Sequence, residues 1–383
     1  MRSLPVRLGA LAALVALTGL LAAGCGSSSD SSGDSGEGPI EIGAIFALTG
    51  PVAAYGLPQA NGMKVAAEKI NEEGGIEGRE IKLNILDYGS QASRAATQAR
   101  SLAQSEAVAV VGPTDSSARL AVEPILQAAK VPVLQVTSSP PDEAAVEYNA
   151  KTIAGTVQQV EGILDFASKN IGAKKVALVT EESEYGEGEQ GAINELADEF
   201  GLEIVSDVVV PVTATDATPE LSQVSDEAEA LLVVAINPLT VTILKGLDQL
   251  GNETPVVGGI GFGTVEALKP AGSAADGVSA VAFLNPQEPK ANQKELVTAY
   301  EGKYGEEPTY NAIYGWDPVH LIEQAVAEGG GASREQVWEG LQKIDGYEGA
   351  AGEYSWDPKT HEMFASPVPF LTYEGGSFHE PTK

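Results

Sequence analysis

Short apolar runs alternate with amphipathic helical patterns along most of the chain, and this alternation restricts the possible folds more than any other feature. Residues 40–47, 80–87 and 108–111 are rich in Ile, Val and Ala, which is typical of buried strands. Between them, residues 58–73 and 92–106 carry apolar side chains at helical spacing. Strands that are apolar throughout and separated by helices indicate a parallel sheet with helices on both faces.

A second series of the same kind follows. Residues 174–180, 203–210 and 230–236 predict strands, and residues 190–200 and 241–250 predict helices between or after them. A chain of 383 residues is too long for one ordinary hydrophobic core. The sequence therefore predicts an α/β fold with two doubly wound lobes.

In open α/β sheets, ligands bind in the loops that follow the carboxyl ends of the strands. Two of these loops carry hydroxyl clusters, namely Thr114, Ser116 and Ser117, then Thr137, Ser138 and Ser139. Hydroxyl and backbone N–H groups at a helix N-terminus suit a carboxylate ligand. Plain N-capping of a helix by Asp115 or Ser116 is the alternative, and the two roles are compatible.

Catalytic and cofactor motifs are not supported. Residues 186–191 spell G-x-G-x-x-G, but the segment begins five residues after its strand and is crowded by glutamates, which would repel a pyrophosphate. We interpret it as an acidic loop that caps a helix. The three histidines lie in the last quarter of the chain without ligand spacing, and no G-x-S-x-G motif is present. The sequence predicts no enzyme, metal or cofactor.

The N-terminal region predicts export and a lipid anchor. Residues 1–24 combine two arginines with an apolar stretch of about 16 residues, short of the roughly 20 needed to span a bilayer. They lead into Cys25, the only cysteine, in a sequence that resembles a bacterial lipobox. Residues 25–38 then predict a lipid-anchored, flexible tether. The formal net charge of −31 excludes nucleic acid as a partner.

Four segments together carry a family resemblance: Leu48-Thr49-Gly50-Pro51 with Tyr55-Gly56, Ile70-Asn71 with residues 74–78, Val110-Val111-Gly112 with Ser116-Ser117, and Tyr185-Gly186-Glu187-Gly188. Over residues 39–378 the chain resembles the type 1 periplasmic substrate-binding proteins of the leucine/isoleucine/valine-binding group. That resemblance implies two Rossmann-like lobes joined by a three-crossing hinge. Lobe 1 is expected over 39–155 plus 284–349, and lobe 2 over 156–283 plus 350–378.

The resemblance also implies a function and a site. We expect a small-molecule ligand, an amino acid or a similar compound, to be enclosed between the lobes and delivered to an ABC transporter permease. A sensing subunit with the same fold is the alternative, and a dinucleotide-dependent enzyme is a rival that predicts affinity for NAD or NADP. The ligand-binding positions implied are Tyr55, Ser116, Thr137, Ser138, Ser139, Tyr185, Asn237 and Ile260.

Ile260 is a departure from the family pattern. In branched-chain amino acid binders an acidic residue at the matching place pairs with the ligand ammonium, and a buried ammonium without an anionic partner is costly. Either another acid, such as Asp115 or Glu184, supplies the charge, or the ligand is a carboxylate or amide that lacks an ammonium. The sequence leaves both possibilities open.

Overall fold

The computed structural model describes residues 38–137 and 145–381. The strands are β1 (Ile40–Phe46), β2 (Ile81–Asp87), β3 (Ala109–Val111), β4 (Val133–Gln135), β5 (Asn149–Lys151), β6 (Lys175–Glu181), β7 (Glu203–Val210), β8 (Ala230–Val234), β9 (Val256–Gly258), β10 (Ser279–Val281), β11 (Tyr347–Glu348), β12 (Glu353–Tyr354), β13 (Phe370–Glu374) and β14 (Ser377–His379).

The α-helices are α1 (Ala53–Glu72), α2 (Ala92–Ala103), α3 (Ser116–Ala128), α4 (Thr156–Asp165), α5 (Glu184–Leu196), α6 (Thr218–Leu221), α7 (Leu239–Leu250), α8 (Val265–Leu268), α9 (Lys294–Tyr304), α10 (Tyr310–Gly329) and α11 (Arg334–Leu341). A π-helical segment, Phe166–Ile171, follows α4. The 3₁₀ segments are Ala197–Phe200, Ile260–Phe262, Lys269–Ala275 and Ala291–Gln293.

Strands β1 to β5 form a fully parallel sheet, here called sheet I, in the order β2-β1-β3-β4-β5. Its inner strand β1 is buried except at Glu41, which is partly exposed. The near-continuous apolar sequence of this strand therefore fits a position covered on both faces.

Strands β6 to β10, with β13 and β14, form sheet II in the order β14-β13-β10-β9-β8-β6-β7. The five strands β6 to β10 run parallel, and β13 and β14 add an antiparallel hairpin at one edge. Strand β8, with the sequence Ala-Leu-Leu-Val-Val, is buried throughout. The two sheets and their intervening helices confirm the predicted doubly wound α/β class.

A close helix pair covers sheet I and brings two parts of the chain together. A Cβ atom on Gly62 of α1 would lie 1.9 Å from the Ala312 carbonyl oxygen of α10, and one on Gly315 would lie 1.8 Å from the Gln59 oxygen. Glycine is required at both positions because any side chain would collide with backbone. This packing places the first half of α1 against the first two turns of α10.

The chain passes between the two sheets three times, after β5, after β10 and before β13. Before the last passage, Tyr354 donates a hydrogen bond to Asp317 of α10 at 2.8 Å. The Met363 amide donates to the Lys151 carbonyl at 2.9 Å. The lobe boundaries stay a prediction, and these contacts favour a third crossing between Phe364 and Phe370 over one near Gly349.

No helix in the described ranges is long and apolar enough to cross a membrane. The predicted signal segment, Cys25 and the tether up to residue 37 lie outside the described residues.

Candidate ligand-binding site

A cavity lies where the carboxyl ends of the two sheets face each other. Sheet I contributes Thr114, Asp115 and Ser116 after β3, and Val136 and Thr137 after β4. The matching loops of sheet II supply the opposite wall, with Tyr185 after β6, Ile236 after β8 and Ile260 after β9. The helix pair adds Tyr55 and Gln59 from α1, and Tyr310, Asn311 and Tyr314 from α10. This position agrees with the rule for ligand sites in parallel sheets.

The size of the cavity suits a small organic molecule. Its volume is about 90 Å³ for the centre of a water-sized sphere. Because one water needs roughly 10–15 Å³ on that measure, the space is several times larger than a single water site. Four tyrosines and several aliphatic side chains line it, with few polar groups between them. Such a lining selects a ligand that has an apolar body and a small number of polar ends.

The wall from sheet I is rich in donors. The Thr114 hydroxyl donates to Gln59 Oε1 at 2.8 Å and accepts from the Ala47 amide at 3.1 Å. Ser116 is the first residue of α3, so the N-terminus of this 13-residue helix opens at the cavity. The buried Thr137 hydroxyl has no hydrogen-bond partner within the described ranges. Because the Thr114 proton is already donated to Gln59, the groups that suit a carboxylate are the N–H groups of α3 and the hydroxyls of Ser116 and Thr137.

Asp115 is held as a helix cap. Its Oδ1 accepts from the Ala118 amide at 2.9 Å, and its Oδ2 accepts a short hydrogen bond from the Tyr88 hydroxyl. Glu184, the other acid suggested as an ammonium partner, is exposed and accepts from the Ser117 hydroxyl at 3.0 Å. Both carboxylates therefore already have donors.

The structure brings five of the predicted site residues to the cavity: Tyr55, Ser116, Thr137, Tyr185 and Ile260. It does not place Asn237 there. The Asn237 amide donates to the Tyr55 hydroxyl at 2.9 Å, and its side-chain oxygen accepts from Thr240 at 2.7 Å. Asn237 therefore contributes through its backbone, at the edge of the cavity. Ser138 and Ser139 lie outside the described residues.

The acidic segment before and within α5 caps a helix, as the sequence predicted, but part of it is buried. Ser183 caps the helix by accepting from the Gly186 amide at 3.2 Å. A Cβ on Gly186 would lie 1.9 Å from the Glu181 carbonyl oxygen, which explains this glycine without a phosphate. However, Glu181 and Glu189 are 2% and 1% exposed. Two of the acids in this capping segment are therefore buried, which the sequence analysis did not anticipate.

Glu181 and Glu189 are buried acids whose charges act on the hydroxyl of Tyr185. The sequence analysis identified neither as part of the site. Glu181 Oε2 accepts from the Ile236 amide at 2.8 Å, and Oε1 accepts from the Ser183 hydroxyl at 2.6 Å. Two signals were available in the sequence. Glu181 ends an apolar strand, and Glu189 follows Tyr185 by four residues, which places both side chains on one helix face.

Burial keeps the cavity tyrosines neutral. Burial first, and then the charges of Glu189 and Glu181, raise the pKa of Tyr185 well above 10. Burial likewise raises the pKa of Tyr310 and of Tyr55. These hydroxyls therefore act as hydrogen-bonding groups and not as anions. In the described part of the chain, no group of three or more His, Cys, Asp or Glu side chains is placed to hold a metal ion.

Two α/β sheets that close a small, mixed cavity between their carboxyl ends define a two-lobed solute-binding architecture. Sequence comparison gives the family. The periplasmic binding protein family matches residues 39–377, and the chain belongs to it. This confirms the predicted resemblance and the type 1 fold.

Curated relatives have names consistent with that family. The Leu/Ile/Val-binding protein BraC3 of Rhizobium johnstonii is 27% identical over 230 residues, which is 59% of this chain and 63% of that protein. The leucine-, isoleucine-, valine-, threonine- and alanine-binding protein of Pseudomonas aeruginosa is 24% identical over 84% of this chain and 86% of its own length.

Solved structures agree on the fold. The branched-chain amino acid transporter substrate-binding protein LivJ of Streptococcus pneumoniae, in complex with isoleucine, has a TM-score of 0.78 and 28% identity. The match covers 89% of this chain and 97% of that one. The leucine-binding protein LivK of Thermotoga maritima, at 24% identity and a TM-score of 0.79, supports the fold alone.

Proposed function

We propose that this protein is an extracytoplasmic solute-binding lipoprotein. It captures a small organic ligand, foremost an amino acid, between its two lobes and delivers it to an ABC transporter permease, without chemistry of its own. The observation that carries the proposal is the cavity between the carboxyl ends of the two sheets, with hydroxyl groups and a helix N-terminus on one wall and aromatic rings around it. Relatives named for leucine, isoleucine and valine support the ligand class.

Hinge closure is the mechanism that we propose for capture. Two hydrogen bonds cross the cleft, from the Asn237 amide to the Tyr55 hydroxyl and from the Ser117 hydroxyl to Glu184. Because a ligand touches both walls only when the cleft is closed, it shifts the population towards the closed form. The closed form is then the state that a permease recognises.

Within the cavity we assign the carboxylate of the ligand to the wall from sheet I. Ser116 and the free N–H groups at the start of α3 are the donors on one side, and the hydroxyl of Thr137 is the donor on the other. The helix dipole adds to the attraction for a negative group. Tyr55 and Tyr185 then pack against the apolar body of the ligand.

A thermal-shift panel of the twenty amino acids and their deaminated acids tests the ligand class. A ligand at 100 times its dissociation constant stabilises the protein by about 2.7 kcal/mol, which is readily measured. We expect a shift with leucine, isoleucine or valine and none with NAD or NADP. A panel in which no amino acid raises the melting temperature contradicts the amino acid assignment.

The proposed anchor is tested separately. We expect Cys25→Ser to release the protein into the soluble fraction or to leave the signal segment uncut, since the thiol is the only site for a thioether-linked lipid. Fractionation and the mass of the N-terminal peptide provide the measurement. A wild-type protein that is soluble and has no lipid mass contradicts the anchor and leaves the binding assignment untouched.

A further inference from the structure

Glu189 is a buried acid that the proposed capture of a carboxylate does not use. It is 1% exposed, and its carboxyl oxygens make no well-formed hydrogen bond among residues 38–137 and 145–381, although the Thr156 hydroxyl lies close enough to act on it. Glu187, on the same helix, is exposed. A buried carboxyl with so little hydrogen bonding is costly in its ionised form, which makes this acid a candidate for a role in the site.

The surroundings of Glu189 favour its neutral form while the cavity is empty. It lies where α5 packs against α4, near the hydroxyl of Thr156, the first residue of α4. Burial raises the pKa of Glu189 to about 8, and the Thr156 hydroxyl offsets part of the rise. At neutral pH the carboxyl is therefore mostly protonated, and a nearby cation would favour its ionised form.

Tyr185 connects this acid to the cavity. Its ring lines the cavity one helical turn before Glu189, and its buried hydroxyl has no hydrogen-bond partner in the described part of the chain. Glu189 is the charge that acts most strongly on this hydroxyl. The opposite side of the site carries Ile260 and offers no charge, while Asp115 and Glu184 are held by other donors.

We propose that Glu189 is a positioning residue that supplies the negative charge for a ligand ammonium group, acting through the hydroxyl of Tyr185. The cavity then prefers ammonium-bearing ligands to the matching deaminated acids. This inference rests on the proposed function and specifies its substrate class. The ammonium donates a hydrogen bond to the Tyr185 oxygen, and Glu189 releases its proton to solvent when the ligand binds. The ionised carboxylate then balances the ammonium across a low-dielectric interior.

Other ionisable groups surround this region, and they set the pH range of a test. Glu181 on β6 is buried and keeps two donors, and Glu362 approaches Gly155 at the start of α4, beside Lys151. Among the other charged residues on the elements that pack against α5, Arg119 is buried and paired with Glu123. The rest are exposed or partly exposed: Glu161, Asp165, Lys175, Asp198, Glu199 and Glu123. Burial raises the pKa of Glu181 and of Glu362 from a carboxyl value of 4.5. A comparison between pH 6.5 and 8.5 spans the pKa of about 8 of Glu189, and the variant Glu189→Gln separates its contribution from those of Glu181 and Glu362.

Calorimetry with L-leucine and with 4-methyl-2-oxopentanoate tests the inference in the full-length wild type. A ligand that binds the ionised form of a group with a pKa of about 8 gains affinity as the pH rises and levels off above that pKa. We expect leucine affinity to rise by about twentyfold from pH 6.5 to 8.5, with proton release seen as a buffer-dependent heat. The keto acid is expected to bind at least tenfold more weakly at pH 8.5.

Glu189→Gln keeps the shape of the side chain and removes the charge, and Glu187→Gln is its matched control on the exposed face of α5. We expect Glu189→Gln to weaken leucine binding about tenfold at pH 8.5 and to abolish the pH dependence, whereas Glu187→Gln changes neither. Leucine binding that is independent of pH and releases no proton in the wild type overturns the inference, and this measurement needs no variant. Leucine affinity at pH 8.5 that is unchanged in Glu189→Gln also overturns it and leaves the proposed function standing. If no amino acid binds the wild type, the ligand class fails first.

Discussion

The two walls of the cavity are assigned to opposite charges of the ligand, and they present different chemical groups. The wall from sheet I presents a helix N-terminus and the hydroxyls of Ser116 and Thr137, beside a Thr114 hydroxyl that is held between Gln59 and the Ala47 amide. The wall from sheet II presents one tyrosine hydroxyl, backed by two buried carboxyls of which one is unpartnered. In the proposed site, the ligand carboxylate contacts fixed dipoles. The ligand ammonium is balanced by Glu189, a carboxyl that is neutral while the cavity is empty and ionises when the ligand binds.

This difference teaches where such groups are found in a sequence. Dipoles at a helix start come from the few residues that follow a strand, so a hydroxyl cluster reveals them. A buried acid on the next helical turn lies among glutamates that are otherwise exposed, as Glu187 is. Composition does not distinguish the buried Glu189 from the exposed Glu187. Only the position of Glu189, four residues after Tyr185 on the same face of α5, does so.

The largest effect, on the free energy of unfolding, is expected from disrupting the helix pair α1 and α10. In Gly62→Ala the new Cβ meets the Ala312 carbonyl oxygen at 1.9 Å, so α1 and α10 must move apart. We expect a loss of about 3 kcal/mol in the free energy of unfolding, measured by urea denaturation. Gly302→Ala is the matched control, because its Cβ meets nothing within 4 Å, and it should be neutral or stabilise α9. Equal stabilities for the two variants contradict the role of the close helix pair.

The second effect concerns the wall from sheet II. Tyr185→Ala removes the ring and the hydroxyl from the cavity, and we expect ligand affinity to fall by about 2 kcal/mol with little change in the stability of the ligand-free protein. Tyr185→Phe separates the two contributions, since it keeps the ring and removes only the unpartnered hydroxyl. Calorimetry with leucine measures both. A Tyr185→Phe variant that discriminates leucine from its keto acid as the wild type does would show that the hydroxyl is not used.

The third effect concerns the wall from sheet I. Ser116→Ala removes one hydroxyl donor and leaves the α3 N–H groups in place, so we expect a loss of about 1 kcal/mol in affinity. The loss should be the same for leucine and for the keto acid, because both carry the carboxylate. Ser101→Ala, on the exposed face of α2, is the control. A loss confined to leucine contradicts the assignment of this wall to the carboxylate.

Much of the fold was predictable from local patterns, and the exceptions have physical causes. The first strand ends at Phe46, one residue before the prediction. Helix α1 begins at Ala53 and not at Pro58, because the helix includes a proline at its sixth position. Strand β5, Asn149–Lys151, was missed since its polar sequence is buried only through pairing with β4 and contact with residue 362.

The site was predictable where it follows strands and unpredictable where it depends on packing. Tyr55, Ser116 and Tyr185 reach the cavity as the loop positions and the resemblance suggested. Tyr310 and Tyr314 were missed, because only the packing of α10 against α1 carries that distant segment to the cavity. Asn237 was expected at the site, but a cap-like bond to Thr240 turns its side-chain oxygen elsewhere.

The smallest effect concerns the contact that joins the two walls outside the cavity. The Ser117 hydroxyl donates to Glu184 at 3.0 Å, and both residues are exposed, so solvent competes for this bond. We expect Ser117→Ala to weaken leucine affinity by about 0.5 kcal/mol, and stopped-flow fluorescence should place the change in the dissociation rate, because the bond forms only after closure. The expected loss disappears in a Glu184→Ala background, which removes the acceptor, if the two side chains act as a pair. A full loss in that background would mean that Ser117 acts on the N-terminus of α3 and not across the cleft.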